Sequence, residues 1–303
     1  MHRPVLYHEI IHALRPQPGG RYVDCTIGGG GHAEGILHAS SPDGRLLGLD
    51  VDPVAIELAR ERLSAYGSRV NLVRDSYAAI SFQLTALGWK EVDGIVMDLG
   101  VSSMQLDTPE RGFSFQADTP LDMRFDPGNP RTAADLVNRL AEDELAEIIF
   151  RYGDEKRARQ VARAIVTARP VHTTGQLANI IASATRSRRP GLHPATKTFQ
   201  ALRIAVNREI DNLTAALPEM LAALTSGGRL AVIAFHSIED RVVKQFFRRE
   251  SQDCLCPPRQ PVCTCGHKAV LKQVTAKPIR PQPEEVEQNP RARSARLRIA
   301  EKL

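Results

Sequence analysis

The sequence has no run of apolar residues that approaches the roughly 20 needed to cross a bilayer. Its first ten residues, MHRPVLYHEI, lack the apolar h-region of a secretory signal peptide. We therefore expect a cytoplasmic protein with no membrane partner. The 303 residues allow one large domain or two, and 42% hydrophobic with 25% charged residues is ordinary for a soluble protein.

Cysteine is scarce, and four of the five cysteines lie close together as Cys254-x-Cys256 and Cys263-x-Cys265. In a reducing cytoplasm we do not expect them to form disulfides. Four thiolates could bind zinc, but the C-x-C spacing departs from the C-x₂₋₄-C that is usual in structural zinc sites. The sequence leaves zinc open, and we assign no metal ligand from it.

Positive charge is distributed unevenly along a chain whose formal net charge is +5. Residues 1–100 hold 9 Lys and Arg against 12 Asp and Glu. In contrast, residues 151–212 hold 12 against 4, and residues 241–303 hold 14 against 6. A polyanionic substrate bound outside the first segment would explain this distribution. Solvated helix faces are the alternative explanation.

The segment Arg21–Gly31, RYVDCTIGGGG, predicts a strand over 21–27 that runs into a glycine loop and then a helix. The glycines Gly28–Gly31 let a ligand approach bare backbone N–H groups at the start of that helix. Asp50 ends the next apolar run, where a carboxylate suits the hydroxyls of a ribose. Asp24 would repel a pyrophosphate but could hold the ammonium of S-adenosylmethionine. The pattern therefore favours a methyl-donor site over an NAD site.

Strands and helices alternate between residues 21 and 100, which predicts a parallel sheet covered by helices. The predicted strands are 21–27, 45–50, 70–75 and 92–98, and the predicted helices are about 32–40 and 53–66. Ligands then lie at the carboxyl ends of the strands, where Asp24, Asp50, Tyr77 and Asp98 fall. Tyr77 could flank an adenine ring or simply pack. Asp98 is the leading catalytic candidate, with capping of the next loop as the alternative.

A long loop and a purely helical segment follow. Within residues 101–131, Phe113 and Phe115 could stack on a splayed base or pin the loop to the core. Residues 132–212 show helical periodicity only, which predicts an all-helical insertion. Its predicted helices are Ala133–Ile149, Asp154–Ala168, Thr174–Ala184 and Thr198–Leu217. The arginines of its basic loop, Arg186, Arg188 and Arg189, suit contacts to a phosphate backbone.

A fifth strand, Arg229–Phe235, is predicted to start after a Gly-Gly pair and to end at His236. The imidazole of His236 is then expected on the same edge of the sheet as Asp98, either in the active site or in a structural hydrogen bond. A helix to Arg249 follows. The last strand is predicted near 295–301, and the arginines just before it include Arg291 and Arg293.

These motifs together resemble the bacterial cytosine-N4 methyltransferases of small-subunit ribosomal RNA, the MraW or RsmH type. The matching stretches span nearly the whole chain and include DCTIGGGGHAEGIL, LLGLDVDP, VDGIVMDLGVSSMQLDTPERGFSF, FQALRIAVNREI, FHSIEDRVVKQFF and NPRARSARLRIAEK. The resemblance implies methyl transfer from S-adenosylmethionine to N4 of a cytidine in the decoding region of 16S rRNA, in the small ribosomal subunit. It also implies a Rossmann-like methyltransferase domain formed by 1–106 and 213–303, with an inserted helical substrate-recognition domain over 107–212.

The resemblance also implies a set of donor-binding positions, to which the glycine loop adds Asp24 and Gly28. The implied positions are Gly30, Gly31, His32, Asp50, Tyr77, Asp98 and Gln105. Amino-methyltransferases more broadly carry Asp-Pro-Pro-Tyr after strand four, whereas this chain has Asp98-Leu99-Gly100-Val101. The stacking aromatic is absent there, so Phe113, Phe115 and His236 are the candidates to replace it.

We expect direct in-line methyl transfer, in which Asp98 accepts a proton from N4 so that its lone pair becomes nucleophilic. This chemistry requires neither a metal nor a covalent cysteine intermediate. Two other classes of function remain open at this point. One is an RNA-binding assembly factor that only senses the donor, and the other is an NAD-dependent oxidoreductase.

Overall fold

The computed structural model describes residues 4–185, 193–257, 260 and 262–303. The chain divides into two compact units. The sheet unit consists of the chain up to Gly100 together with Ile210–Leu303, and the helical unit is Val101–Glu209. The boundaries expected from the sequence, 106/107 and 212/213, fall a few residues after these two borders.

The sheet unit contains seven strands in the order β3-β2-β1-β4-β5-β7-β6. They are β1 Arg21–Asp24, β2 Arg45–Asp50, β3 Val70–Arg74, β4 Val92–Asp98, β5 Leu224–Ala234, β6 Leu271–Gln273 and β7 Arg296–Lys302. Strands β1 to β5 are parallel, whereas β7 runs antiparallel to both β5 and β6. The strand order reverses between β1 and β4, which is where open α/β sheets bind their ligands. The predicted Rossmann-like fold class is confirmed.

Thirteen α-helices lie in the described part of the chain. They are α1 Tyr7–Leu14, α2 Gly31–Ala39, α3 Pro53–Arg62, α4 Ile80–Ala86, α5 Ser103–Asp107, α6 Ala133–Arg139, α7 Glu142–Gly153, α8 Ala158–Thr167, α9 Thr174–Thr185, α10 Thr196–Asn207, α11 Glu209–Ala223, α12 Ser237–Glu250 and α13 Pro283–Gln288. Among the described residues, none of these helices is long and apolar enough to cross a membrane. The described part of the helical unit contains no strand, only an isolated bridge between Pro120 and Thr173.

Both faces of the sheet are buried, so successive strand residues enter two different cores. In β2, Leu47 and Leu49 belong to one core and Leu46 to the other. In β4, Met97 enters the first core and Val96 the second. This burial explains the near-continuous apolar runs of the parallel strands. Charged side chains fit only where the strands end, which concentrates polar chemistry at the edge of the sheet.

The helical unit has a separate core built from helices with one apolar face. In α8, Ala158, Val161, Ala162 and Ile165 are all buried, and their spacing of i, i+3, i+4 and i+7 places them on one side of the helix. The opposite side of α8 carries the basic residues that made this segment an amphipathic helix in the sequence. The expected all-helical character of the segment therefore follows from its own periodic core.

Two long helices predicted from the sequence are each broken in the structure. The predicted helix Ala133–Ile149 becomes α6 and α7, because Leu140 and Ala141 adopt extended backbone. The side chain of Glu144 accepts a hydrogen bond from the Ala141 N–H at 2.9 Å and so starts the second helix. The predicted helix Thr198–Leu217 becomes α10 and α11, because Arg208 has a left-handed φ of 52°.

Strand boundaries also differ from the prediction at several places. The first strand ends at Asp24 rather than at residue 27, because residues 25–27 already turn toward the glycine loop. The fifth strand starts at Leu224, before the Gly-Gly pair rather than after it. Helix α4 and strand β6 were not predicted, and β6 has only three residues.

A buried ion pair fastens α12 to the last strand. Asp240 is 8% exposed, and its Oδ1 accepts a hydrogen bond from Nε of the 6% exposed Arg298 at 2.6 Å. Arg296 donates to Oδ2 of Asp240 at 3.1 Å. Burial alone would raise the pKa of Asp240, but the hydrogen bonds and charges of Arg298 and Arg296 hold it below its ordinary value.

We predict that Asp240→Asn lowers the free energy of unfolding by about 3 kcal/mol, because it leaves buried guanidinium charge uncompensated. The expected loss is at the lower end for such pairs because the side chain of Arg296 is 33% exposed. Urea unfolding followed by tryptophan fluorescence measures it, since the single tryptophan, Trp89, is 6% exposed in the sheet unit.

The matched control is Glu57→Gln, which removes the acid of an exposed pair with Arg60 on α3. We expect that change to alter stability by less than about 1 kcal/mol. Equal effects of the two substitutions would contradict the anchoring role of Asp240.

Candidate active site

The glycine loop joins β1 to α2 through backbone conformations that require glycine. Gly28 and Gly30 have φ of +49° and +77°, in the left-handed region that side chains disfavour. Gly31 is needed for a different reason, since a Cβ there would lie 2.3 Å from Cγ of Pro4. Among the described residues, no side chain caps the start of α2. The loop therefore brings glycine backbone to a helix N-terminus, although the Gly30 N–H already donates to the carbonyl oxygen of Ile27 at 2.8 Å.

Asp50 holds this loop in place from the end of β2. Its Oδ2 accepts a hydrogen bond from the Gly28 N–H at 3.0 Å, and its Oδ1 accepts one from the Asp52 N–H at 2.9 Å. Burial raises the pKa of Asp50 to about 6, although these two hydrogen bonds act in the opposite direction. Asp52 in turn caps α3 by accepting a hydrogen bond from the Val54 N–H at 3.1 Å.

Asp24, at the end of β1, is almost completely buried. It is 1% exposed, and its Oδ1 accepts a hydrogen bond from the Thr26 N–H at 3.2 Å. Burial raises the pKa of Asp24 to about 7, and the negative charge of Asp50 raises it further. A carboxyl group in this state gains strongly from a cationic ligand.

Asp98 ends β4, and its backbone is fixed by a hydrogen bond from its N–H to Oγ1 of Thr26 at 2.6 Å. Its side chain is 26% exposed, but Oδ1 is buried and has no hydrogen-bond partner among the described residues. Burial raises the pKa of Asp98 to about 8, with further contributions from the charges of Asp24 and Glu239. A pKa in this range suits a group that accepts a proton near neutral pH.

The structure brings the three predicted acids to one edge of the sheet. Strand β1 lies between β2 and β4, and all three run parallel. In register, Asp24 pairs with Gly48 and with Val96, so Asp50 and Asp98 each lie two residues further along their strands. The expected convergence of Asp24, Asp50 and Asp98 is therefore confirmed. Their electrostatic coupling through Asp24 makes this edge a site for positive charge.

His32 does not supply that positive charge. Its Nε2 lies 3.0 Å from the carbonyl oxygen of Val5, to which it donates in the tautomer that this contact favours. Burial lowers the pKa of His32 to about 4, so the ring is neutral at pH 7. Its Nδ1 lies 4.0 Å from Oδ2 of Asp98. His32 therefore fastens α2 to the N-terminal segment and presents an acceptor nitrogen toward Asp98.

His236 lies just beyond β5 and serves as the N-cap of α12. Its Nδ1 accepts a hydrogen bond from the Glu239 N–H at 3.3 Å. Oε2 of Glu239 accepts hydrogen bonds from the N–H groups of Phe235 and His236 at 3.0 and 3.3 Å. Nε2 of His236 lies 3.0 Å from Oε1 of Glu239 but not in hydrogen-bond geometry. The structural alternative for His236 is thus observed, and it leaves Nε2 without a hydrogen-bond partner among the described residues.

Glu239 was not predicted to be a site residue, although it is 2% exposed and its charge raises the pKa of Asp98. The signal that could have found it is the spacing of a capping box, with the N-cap residue three positions before a glutamate. Histidine is not among the preferred N-cap residues, which is why the pattern His236-x-x-Glu239 was not recognised.

Tyr77 and Gln105 occupy positions with structural roles of their own. Tyr77 opens a short 3₁₀ helix after β3 and packs, half-buried, against the core that contains Leu47. Gln105 lies in the helical unit, where its Oε1 accepts a hydrogen bond from the Ser102 N–H at 3.1 Å. Its own N–H donates to Oγ of Ser102 at 3.2 Å, completing a capping box at α5. The predicted donor-binding roles of both residues stay predictions.

Phe113 and Phe115 pack within the helical unit. The ring of Phe113 stacks on that of Phe125 with centroids 5.5 Å apart. Phe115 lies 4.5 Å from the ring of His193 and 4.9 Å from that of Phe199. This arrangement favours the interpretation that the two rings pin the loop to its core.

The predicted arginines fall into two groups. Arg186, Arg188 and Arg189 lie outside the described residues. Arg291 and Arg293 are exposed on a 3₁₀ helix, Pro290–Ser294, in the sheet unit.

Comparison with known proteins gives the relationship of the chain. A model of the MraW methylase family matches residues 1–303. A ribosomal RNA small subunit methyltransferase H from Dehalococcoides mccartyi is 50% identical over 302 residues, covering 100% of this chain and 86% of that protein. Proteins with the same description from Symbiobacterium thermophilum and Geobacter sulfurreducens are each 52% identical over 307 residues. They are covered to 96% and 99% of their own lengths, and this chain to 100%.

These similarities confirm the family that the motifs predicted and, with it, S-adenosylmethionine as the cofactor. The cofactor of this chain is therefore a methyl donor rather than NAD. The chain belongs to the MraW methylase family.

Proposed function

We propose that this protein transfers the methyl group of S-adenosylmethionine to the exocyclic N4 of a cytidine in the decoding region of 16S rRNA, within the small ribosomal subunit. The relatives named above, which are small-subunit rRNA methyltransferases, support the choice of RNA. The choice of N4 follows the sequence resemblance. The observation that carries the proposal of a transfer site is the coupled cluster of Asp24, Asp50 and Asp98. We place the reaction in the cytoplasm.

The residues of the sheet unit fit a ligand with positive charge and no phosphate. S-adenosylmethionine supplies a methyl group on a positively charged sulfur and also carries an ammonium group. We assign the ammonium to Asp24, the ribose hydroxyls to Asp50 and the adenine to Tyr77. The backbone N–H groups of Gly28–Gly31 line the same donor site, beside His32. A cationic ligand offsets the burial and the repulsion that raise the pKa values of Asp24 and Asp98.

Asp98 is the proposed proton acceptor. The lone pair of cytidine N4 is delocalised into the ring, so N4 becomes nucleophilic only as a proton is taken from it. Oδ1 of Asp98 has no competing hydrogen-bond donor among the described residues, and the Thr26 hydroxyl fixes the backbone behind it. A pKa of about 8 makes this carboxylate a stronger base than an ordinary aspartate. Such a base contributes on the order of 10²–10⁴ in rate.

His236 is proposed to orient the substrate rather than to transfer a proton. Its Nδ1 is occupied as the N-cap acceptor, which fixes the plane of the ring. Its Nε2 is buried and has no hydrogen-bond partner among the described residues, and we propose that a base or a ribose of the substrate supplies that partner.

RNA is proposed to be held by the helical unit and by basic residues of both units. The proposed phosphate contacts are Arg186, Arg188, Arg189, Arg291 and Arg293. The excess of Lys and Arg over Asp and Glu in 151–212 and 241–303 supports this assignment. Phe113 and Phe115 stay proposed base-stacking residues, although their packing contacts favour a structural role.

We predict that donor binding tightens and releases protons as the pH rises from about 6 to about 8. The acids titrate with pKa values of about 7 for Asp24 and about 8 for Asp98 in the absence of donor, and a cation favours their ionised forms. Affinity should rise up to about tenfold per pH unit for each proton released. Isothermal titration calorimetry in buffers of different ionisation enthalpy measures this release.

S-adenosylhomocysteine is the matched control ligand, because it keeps the ammonium but lacks the positive sulfur. We expect its affinity to depend less on pH than that of S-adenosylmethionine. Identical pH profiles for the two ligands would contradict the proposed carboxylate cluster.

The same pKa values have a consequence for the stability of the protein without a donor. Between about pH 4 and pH 8 the native state binds more protons than the unfolded state, so the free energy of unfolding falls as pH rises through that range.

We predict that Asp98→Asn keeps measurable donor binding but lowers the methylation rate at least about a hundredfold, because an amide cannot accept the N4 proton. The assay transfers a tritiated methyl group to small ribosomal subunits from a strain that lacks this gene. Asp43→Asn, an exposed acid that precedes β2, is the control and should retain full activity.

Mass spectrometry of the nucleosides from the treated rRNA tests the proposed product directly. We expect N4-methylated cytidine in the decoding region with the unaltered protein and not with Asp98→Asn. Normal methylation by Asp98→Asn would remove Asp98 from the chemistry, whereas a different modified nucleoside would overturn the proposed target atom.

We predict that His236→Asn separates capping from substrate contact, because asparagine is among the best N-cap residues. The melting temperature and the donor affinity should stay close to those of the unaltered protein, while methylation falls at least about tenfold. His236→Ala should reduce both stability and activity. Full activity of His236→Asn would show that the imidazole serves only as a cap.

A further inference from the structure

The segment between α12 and β6, residues 251–270, contains four cysteines and no buried residue among those that the structure describes. Both ends of this segment are fixed. The Val270 N–H donates to the carbonyl oxygen of Glu250 at 2.9 Å, and the Ala269 N–H donates to Oδ1 of Asp253 at 3.3 Å. The stem of the loop is thus closed by hydrogen bonds, whereas the described residues of its interior form no apolar core that could order it.

The four thiols nevertheless converge on one point. The sulfur atoms of Cys254, Cys256, Cys263 and Cys265 all lie within 4.8 Å of one another. Cys254 and Cys263 are separated by 3.5 Å, Cys263 and Cys265 by 3.6 Å, and Cys265 and Cys254 by 3.8 Å. A tetrahedral zinc ion with Zn–S distances of about 2.3 Å places its sulfurs about 3.8 Å apart. These three sulfurs therefore form a triangle with the dimensions of one face of that tetrahedron.

Backbone N–H groups point at three of the sulfurs. The Cys256 N–H donates to Sγ of Cys254 at 3.4 Å, and the Leu255 N–H donates to Sγ of Cys265 at 3.3 Å. The Thr264 N–H donates to Sγ of Cys256 at 3.4 Å. Such hydrogen bonds orient thiolate ligands and stabilise the negative charge that accumulates around a metal. Two of these three hydrogen bonds run between the C-x-C pairs, so the backbone of each pair supports a sulfur of the other pair.

We propose that Cys254, Cys256, Cys263 and Cys265 bind one zinc ion, which holds the segment 251–270 in a fixed conformation. All four positions of a tetrahedral ion would be filled by thiolates, so the site is structural rather than catalytic. His267 is not needed as a ligand, since its Nε2 lies 3.1 Å from the carbonyl oxygen of Arg249. The C-x-C spacing made this assignment undecided in the sequence, and the convergence of the sulfurs now supports it.

The proposed ion would stabilise the edge of the sheet. Strand β6 has only three residues, and within the described part of the chain it lies at the edge of the sheet beside β7. Since the segment 251–270 leads directly into Leu271, disorder in that segment would loosen this short strand. A metal ion bound by both C-x-C pairs crosslinks the loop and removes much of its conformational freedom. Only four cysteines are needed for this.

The test is the metal content of the full-length protein, purified without chelators or a polyhistidine tag. Mass spectrometry of the elements should give about one zinc per chain. The double variant Cys254→Ser with Cys263→Ser removes one ligand from each pair, and its zinc content should fall at least about tenfold. Cys25→Ala changes the remaining cysteine, which is 1% exposed in the core, and should keep the zinc.

Three further readouts do not depend on the variants. In the native protein the four thiols should react slowly with a disulfide reagent, and a strong chelator should make them react at once. Metal-free protein titrated with Co²⁺ should show the visible absorption of tetrahedral thiolate cobalt. Cleavage within 251–270 by a protease should become faster after chelation.

Several results would overturn the proposal. One is a zinc content no higher than that of the double variant, with all four thiols reacting at once in the native protein. Disulfides between these cysteines in freshly purified protein would also overturn it, and so would iron in place of zinc.

Discussion

The burial of three acids at the carboxyl ends of neighbouring strands, where Asp24 also repels its neighbours, is the constraint on which the candidate site depends. Asp24, Asp50 and Asp98 lie on β1, β2 and β4, and burial is the largest cause of the raised pKa of each. An arrangement that keeps such groups partly protonated is unfavourable unless something positive binds there. The fold places these acids together at one edge of the sheet, and a bound cationic ligand offsets the unfavourable free energy of that arrangement.

The same constraint explains why the acids can lie nowhere else. Both faces of the sheet are covered, so a charged side chain in the middle of β2 or β4 would be buried among apolar side chains such as Leu47 and Met97. At the carboxyl ends the strands leave the core, and backbone N–H groups of the following loops become available. Asp50 uses two of these groups, and Asp24 uses one. Among the described residues, none donates to Oδ1 of Asp98, and that oxygen is the one proposed to act on the substrate.

Sequence patterns predict the parts of this structure that depend on local chemistry. Strands β2 and β4 have the predicted bounds, 45–50 and 92–98, because each contains a buried apolar run that ends in aspartate. The glycine loop is predictable because two of its residues need positive φ, and Pro53 occupies the first turn of α3 as expected. The convergence of the acids at one edge of the sheet follows from the order and the parallel direction of the strands.

What the sequence does not reveal depends on long-range packing. The break between α6 and α7 falls at Leu140 and Ala141, so neither a glycine nor a proline marks it in the sequence. Arg208 is left-handed although arginine has no preference for that conformation. Strand β6 is too short to show an alternation of apolar and polar residues, and it forms because it pairs with β7. Glu239 is recognisable as part of the site only once its charge is seen to act on Asp98.

Helix α12 links the candidate site to the last strand, because two consecutive residues of the helix interact with different partners. Its first turn carries Glu239, whose charge helps set the basicity of Asp98. The next residue, Asp240, is bound by Arg298 of the last strand. Since neighbouring residues on a helix cannot move independently, the ion pair on β7 fixes the position from which Glu239 acts. The affinity of Asp98 for a proton is therefore determined partly by a contact that touches no ligand.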